Sequence, residues 1–316
     1  MEIRKNVSLQ SLNWFKTGGI AASYCEPVTL ENFQEALRFA GTENQPTFFL
    51  GAGANILISD QGFNGLVVHP CNPDLRILQE TSRDDTIHLR AGAGVGIQQL
   101  IDYCLDHNLT GLEPFSGIPG TVGGAVYINL HYFEHLLSDF FISGRVLHRQ
   151  SGELKEVDQE WFRFGYDQSR LHDGEYLLYD AVFEVKPSSE LETMYAKGRR
   201  DEIIRHRNRR YPESHTCGSF FRNFHPEEVT LTVGDKKMIY IGYYLDTLGI
   251  KGRLEVGDAI VSSKHANMIV NQGNATTSEI IDLVRRMQQM VLDEYGILPQ
   301  PECQLVGFED YPLLTK

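Results

Sequence analysis

Two glycine-rich stretches, "GAGANILISDQGFNG" at residues 51–65 and "SGIPGTVGGAV" at 116–126, constrain this chain more than any other feature. Glycines in loops let backbone amides approach an anion closely and adopt positive φ. Neither stretch ends in the GK[ST] that sets a lysine on a terminal phosphate, which excludes a P-loop. Neither has GxGxxG between a strand and a helix, so a Rossmann dinucleotide site is not supported. Taken alone, "GAGAN" reads as a tight turn between two buried strands. "SGIPGTVGG" is different: it gathers glycines, a proline, Ser116 and Thr121 into nine residues without a cationic side chain. That is a plausible pyrophosphate cradle, and two such loops on different lobes can hold the two ends of one extended dinucleotide.

The surrounding periodicity alternates helix and strand. In "TLENFQEALRFAG", Leu30, Phe33, Leu37 and Ala40 follow a helical period, with Thr29 placed to cap the start and Gly41 the end. "TFFL" and "ILIS" read as strands on either side of "GAGAN", so the opening is an α/β lobe. From 83 to 186 the signals are mostly strand ("TIHLRAG", "GGAVYIN", "SGRVLHR", "YLLYDAVFEV"), broken by one helix around "IQQLIDYCLDHN". Pro and Ser in "VKPSSELETM" mark a boundary. Beyond it come a basic helix, a strand-like "GSFFRN", a buried strand in "KHANMIVN" and the clearest helix, "TTSEIIDLVRRMQQMVLDEYG". Thr276 and Glu279 have capping-box spacing at the start of that helix.

Bulk properties narrow the partners. The chain has 316 residues, enough for two domains or three small ones, and its 41% hydrophobic and 22% charged content is ordinary for a soluble protein. A formal net charge of −13 repels polyanions, so nucleic acid is not expected as a partner. No apolar run has membrane-spanning length, and "MEIRKNVSLQSLNWF" has no apolar segment that would make it a signal peptide. Five scattered cysteines without a CxxC point to reduced thiols in a cytoplasm and away from a disulfide framework or zinc. The basic stretch "KGRRDEIIRHRNRR" (197–210) reads as a solvated helix face, with an anion-docking surface as the alternative.

The motifs taken together resemble a known family. "FKTGGIAASYCEP", "GAGANILISDQGFNGLVV", "LEPFSGIPGTVGGAV", "GSFFRN", "KHANMIVNQGNAT" and "YGILPQPECQLVG" follow the order and approximate spacing of the UDP-N-acetylenolpyruvoylglucosamine reductases. The resemblance runs from about residue 10 to 308. It implies an α+β chain: a two-lobed FAD-binding domain of the vanillyl-alcohol-oxidase (PCMH) type at 1–190, with lobes of about 1–70 and 71–190, and a C-terminal α+β substrate domain at 191–316. The implied reaction passes a hydride from NADPH through FAD to the enolpyruvyl group of UDP-N-acetylglucosamine-enolpyruvate. The product is UDP-N-acetylmuramate, for peptidoglycan synthesis.

Carried over by motif, Gly51, Gly53, Ala54 and Asn55 would lie by the FAD pyrophosphate, and Gly117, Ile118, Pro119, Gly120, Thr121, Gly123 and Gly124 would wrap FAD from the second lobe. Ala54 stands where the family usually has serine, so one phosphate contact is lost, worth about 0.5–1.5 kcal/mol. No His or Cys lies in either loop, which favours non-covalent flavin. The resemblance makes Ser219 the proton donor to carbon, whereas an isolated GS would be an ordinary turn hydroxyl. It makes Glu302, in "QPECQLVG", the group that polarises the enolpyruvyl moiety or shares in proton transfer; the first glutamate of that pattern is Gln300 here. Asn223, Arg222 and Tyr166 complete the substrate set.

Two segments depart from the family. Its YRxS is "YDQSR" here, so Asp167 occupies the place of an arginine that helps bind and polarise substrate. If the segment curls into a turn, Arg170 presents the displaced guanidinium; if it stays extended, residues three apart face opposite ways and the replacement fails. The family's "NAGAYG" becomes "NLHYFE" at 129–134. The expected protein is a cytoplasmic FAD reductase, its oligomeric state left open with a monomer preferred, with a UDP-sugar and NADPH as partners and neither nucleic acid nor membrane. The alternatives are a related flavin oxidoreductase with a changed substrate, or a flavin- or UDP-sugar-binding protein without catalysis.

Overall fold

The computed structural model describes residues 1–78 and 86–315. Its helices form where apolar spacing and caps coincide. Thr29 caps α1 (Leu30–Thr42) by accepting from the Asn32 N–H, and α1 buries Phe33, Ala36, Leu37 and Ala40. The cap at the far end is Glu43 rather than the expected Gly41, which lies inside the last turn. α2 (Ile97–Asp106) buries Ile97, Leu100, Ile101, Cys104 and Leu105.

The expected strand in "GGAVYIN" is instead α3 (Val122–Tyr127). Thr121 Oγ1 accepts from the Gly124 N–H at 3.3 Å and starts the helix, and Val122, Ala125 and Val126 are buried at helical spacing. Gly123 lets α3 lie against the chain at Ala93, where a Cβ would stand 3.1 Å from the Ala93 oxygen. α4 (Glu190–Arg210) and α5 (Ile241–Thr247) follow. In α6 (Thr277–Tyr295) both arms of the Thr276–Glu279 capping box are made, and Gly296 at φ 69° ends the helix.

The larger sheet orders Leu154–Asp158, Phe141–His148, Tyr176–Pro187, Ile87–Gly92 and Leu75–Ile77 antiparallel. A four-stranded sheet runs Arg4–Ser8, Ile20–Cys25, Phe63–Val68, Thr47–Phe49, its last pair parallel. Toward the C-terminus "KHANMIVN" contributes only Ile269–Asn271 to a three-stranded sheet, and "GSFFRN" forms isolated bridges rather than a strand.

Two packing units share the chain: Met1–Asn6, Ala22–Ala52 and Asn64–Arg207 in the first, Val7–Ala21, Gly53–Phe63 and Asn208–Lys316 in the second. This differs from a linear division at 190/191. α4 packs with the first unit through charge: Arg200 lies 2.9 Å from Asp102, Lys197 lies 3.1 Å from Asp106, and Arg199 pairs with the buried Glu113. The basic stretch is therefore tied to the acids of α2 and its neighbourhood rather than wholly solvated. Residues 53–63 join the second unit because Gln304–Val306 pairs parallel with Ile56–Ile58 and the Thr277 hydroxyl donates to the Ile58 carbonyl at 2.6 Å. The first unit's core gathers α2, α3 and the larger sheet; the second's gathers α5, α6 and Phe220, Phe221 and Phe224. All five cysteines are free thiols, and among the described residues no helix is long and apolar enough to cross a membrane.

Candidate active site

In the first unit the loop before α3 is clamped from α2. Gln98 donates through Nε2 to the carbonyls of Phe115 (3.1 Å) and Ile118 (2.9 Å), and its Oε1 accepts from the Gly117 N–H at 2.9 Å. Gly117 has φ 75°, a conformation that favours glycine. The Gly120 carbonyl accepts from Ile97 N–H at 3.0 Å, which sets Pro119 and Gly120 at the start of α2. The Val122 and Gly123 amides are used on Val95 and Ala93, at 2.8 and 2.9 Å. Those of Gly120 and Thr121 carry no hydrogen bond to protein among the described residues. Gly51 lies against the same turn, where a Cβ would stand 2.8 Å from Thr121 Oγ1 and 3.7 Å from Gly124 Cα. The glycine-rich stretches thus meet at Gly51 and Thr121–Gly124, as a shared dinucleotide cradle requires.

Gly53, Ala54 and Asn55 belong to the second unit. Gly53 has φ 67°, and a Cβ there would lie 2.6 Å from both Leu12 O and Asn13 Cα. The Asn55 carbonyl accepts from Gln304 N–H at 3.0 Å, and its Nδ2 makes a long 3.5 Å bond to the Glu302 carbonyl. Asn55 Oδ1 is buried without a hydrogen-bond partner. Within the second unit, the buried Asn55 acceptor and the close-approach Gly53 are groups that FAD can use, and within the first the open Gly120 and Thr121 amides beside Gly51 are too.

Ser219 and Glu302 flank Phe220. Ser219 bridges Met268 and Phe221 bridges Pro301, while the Phe220 carbonyl accepts from the N–H groups of Glu302 (2.8 Å) and Cys303 (3.2 Å). Asn267 holds Phe221 by both backbone groups, at 3.0 and 2.7 Å. Ser219 and Glu302 are half-buried, and Asn55 is bonded to the same segment. The second unit therefore brings Asn55, Ser219 and Glu302 into one hydrogen-bonded patch. Cys303 sits among them as an inert thiol, since burial pushes it well above the ordinary thiol range.

Arg222 makes a two-pronged pair with Glu228, both contacts 2.8 Å, and donates to the Asn223 carbonyl at 2.9 Å. The Arg222 hydrogen bonds hold the Glu228 carboxyl down at about 2. Asn223 Oδ1 accepts from the Ile241 N–H at 3.3 Å and so starts α5. Glu228 and Gln300 line an open cleft of about 470 Å³.

The "YDQSR" segment does curl: Gly165 N–H bonds the Gln168 carbonyl at 2.9 Å and Asp167 takes φ 53°. Arg170 then lies with its guanidinium 4.5 Å from the centre of the Trp161 ring and its Nε 3.9 Å from Asp173. Tyr166 is exposed, its ring 4.6 Å from that of His131. Sequence reasoning missed Gln98 and Asn267, whose roles are long-range bonds to backbone. One group of metal-ligating atoms occurs among the described residues, on Glu26, His69 and Cys71. There the Tyr24 hydroxyl hydrogen-bonds both Glu26 and His69, at 2.8 and 2.7 Å, and Arg4 pairs with Glu26.

The chain is similar to known proteins over nearly its whole length. Residues 210–306 match the family "UDP-N-acetylenolpyruvoylglucosamine reductase, C-terminal domain", and residues 21–158 match an FAD binding domain. A UDP-N-acetylenolpyruvoylglucosamine reductase 2 from Bacillus cereus is 31% identical over 306 residues, covering 96% of this chain and 93% of the relative. A UDP-N-acetylenolpyruvoylglucosamine reductase from a Synechococcus species is 32% identical over 321 residues, covering 99% and 94%. The crystal structure of the UDP-N-acetylenolpyruvylglucosamine reductase of Thermus caldophilus superposes with a TM-score of 0.76 at 27% identity, covering 97% of this chain and all of that one.

Proposed function

The chain belongs to the UDP-N-acetylenolpyruvoylglucosamine reductase family, and from that premise we propose that it reduces UDP-N-acetylglucosamine-enolpyruvate with NADPH to give UDP-N-acetylmuramate. The observation that carries this reading is the patch of Asn55, Ser219 and Glu302 in one hydrogen-bonded network. Bound non-covalently, FAD supplies the hydride relay between NADPH and the enolpyruvyl carbon. For FAD the first unit would offer Gly51 and the loop 117–124, and the second would offer Gly53, Ala54 and Asn55.

Hydride addition leaves enolate character on the substrate, a strong base that a positioned hydroxyl can protonate. Ser219 donates that proton, and Glu302 polarises the enolpyruvyl group. Asn223 and Arg222 take the diphosphate, with Glu228 fixing the guanidinium in place, and Tyr166 is the substrate-binding residue assigned in the first unit. We place the protein in the cytoplasm without nucleic-acid or membrane partners; its net charge of −13 repels a polyanion such as nucleic acid.

Arg170 enters as the displaced arginine, and its stacking on Trp161 offers it a second role as anchor of the 165–169 turn. Arg170→Ala is expected to raise the KM for the UDP-sugar about tenfold. An unchanged KM with a lowered melting temperature would confine Arg170 to packing on Trp161.

Steady-state assay tests the whole reading. The purified chain should carry a flavin that denaturation releases, and NADPH oxidation should depend on the added enolpyruvyl UDP-sugar. Bound flavin without substrate-dependent NADPH oxidation would overturn it.

A further inference from the structure

In the first unit, Glu26, His69 and Cys71 each bring a ligand atom within 4.8 Å of the other two. The four-stranded sheet puts them there. The Cys25 carbonyl accepts from His69 N–H and the Pro27 carbonyl from Cys71 N–H, both at 2.9 Å. The two bonds advance in the same direction along both segments, so 69–71 carries on the pairing of Ile20–Cys25 with Phe63–Val68 in parallel. That register sets His69 opposite Glu26. Side chains two apart on a strand share a face, so Tyr24 joins Glu26 and Cys71 joins His69 on one side. The contacts agree: the Tyr24 hydroxyl lies 2.8 Å from Glu26 Oε1 and 2.7 Å from His69 Nδ1, and these two atoms are 4.0 Å apart.

The donor set is chemically selective. Cys71 is the one thiol of the five that is not buried, and it stands beside an imidazole and a carboxylate. Thiolate and imidazole together prefer a borderline divalent cation to magnesium or calcium, and three such protein ligands with an open fourth position suit zinc. Ligands of a tetrahedral zinc ion lie about 3.3–3.8 Å apart, so the three atoms must close by up to about one ångström. The Glu26 side chain, 46% exposed, has the freedom to do so while the backbone ladder stays fixed. The opposing charge is Arg4, whose guanidinium lies 3.1 Å from Glu26 Oε2 and 4.8 Å from the centre of the Tyr24 ring. It takes the other carboxylate oxygen and leaves Oε1 facing His69. Both members of that pair are nearly half exposed, so it is weak and does not commit Glu26.

We propose that Glu26, His69 and Cys71 form a zinc site, with water as the fourth ligand, that clips the strand Ile20–Cys25 to the segment after Phe63–Val68. Binding releases the Cys71 thiol proton to solvent and leaves the sulfur on the metal as thiolate, with no transfer of electrons. Tyr24 is the positioning residue, its hydroxyl donating to the Glu26 carboxylate. No CxxC spacing announces the group, because its ligands lie on segments that meet only in the fold. The site is independent of the reduction reaction and stabilises the first unit.

The test uses the purified full chain with its flavin, kept reduced at its thiols by a non-thiol reductant. Zn2+ titrated in competition with a chromophoric chelator should bind as one equivalent, and saturating Zn2+ should raise the melting temperature. His69→Gln and Cys71→Ser should each weaken binding by about 100-fold or more, beyond the roughly 10–100-fold that loss of an outer partner costs, and abolish the thermal shift. Arg4→Ala should tighten binding, because a repelling cation is gone. Co2+ in place of Zn2+ should give the visible absorption of a tetrahedral site, to the red of the flavin bands, and Cys71→Ser should remove it. Should either ligand variant fail to fold, Glu26→Gln, at an exposed side chain, carries the same affinity test. A wild-type chain that takes up no Zn2+ would overturn the inference. So would uptake that His69→Gln and Glu26→Gln leave unchanged, which would mark a lone thiol rather than a built site.

Discussion

Ser219→Ala is expected to leave reduction of the bound flavin by NADPH nearly unchanged and to slow its reoxidation by the enolpyruvyl UDP-sugar by about 10²–10⁴-fold, the usual weight of a positioned proton donor. The prediction is selective because the backbone, not the hydroxyl, holds this segment. Ser219 is bridged to Met268, Phe220 is bonded to Asn267 and Glu302, and Phe221 is held by the Asn267 side chain. Removing one oxygen from a half-buried side chain leaves those bonds intact. Rapid mixing under anaerobic conditions resolves the two half-reactions. Equal slowing of both would make Ser219 a structural residue and remove the proton donor from the account.

Gly53→Ala should cost the chain both stability and cofactor. The new methyl would lie 2.6 Å from Leu12 O and Asn13 Cα, and the residue is already at φ 67°. Backbone atoms cannot rotate aside as a side chain can, so we expect a loss of about 1–3 kcal/mol. The Gly53 carbonyl accepts from Trp14 N–H at 2.9 Å, so the displacement also moves Ala54 and Asn55. A lower melting temperature and a lower flavin-to-protein ratio should appear together. Gly41→Ala is the contrasting variant: within α1, with nothing within 4 Å of its Cβ, it should stabilise by about 0.5–1 kcal/mol. A Gly53→Ala protein that purifies with full flavin would show that the "GAGAN" turn does not shape the cofactor site.

Sequence signals are legible where local physics decides. Thr29 and Thr276 cap the helices that their spacing implies, and the apolar face of α2 is the one its periodicity marks. "GGAVYIN" misleads because its β-branched and aromatic residues suit a strand, while the Thr121 cap and the glycine contact with Ala93 decide for a helix. The placement of α4 depends on ion pairs to residues nearly a hundred positions earlier, and no local pattern announces those. The same holds for the site. The motifs mark Ser219 and Glu302 one by one, but their closeness comes from Phe220 and Asn267 bonding across the fold. His131 and Asp167 each register as a departure, and only the folded chain shows that the two departures face each other.

The central claim is that this chain delivers a hydride and a proton to the enolpyruvyl double bond. The most direct measurement is a single turnover without oxygen: the flavin is reduced with one equivalent of NADPH, the enolpyruvyl UDP-sugar is added, and absorbance and product mass are followed. The account predicts prompt return of the oxidised flavin spectrum with a stoichiometric UDP-sugar product carrying two more hydrogens. A flavin that stays reduced until air is admitted, with the sugar recovered unchanged, would contradict it.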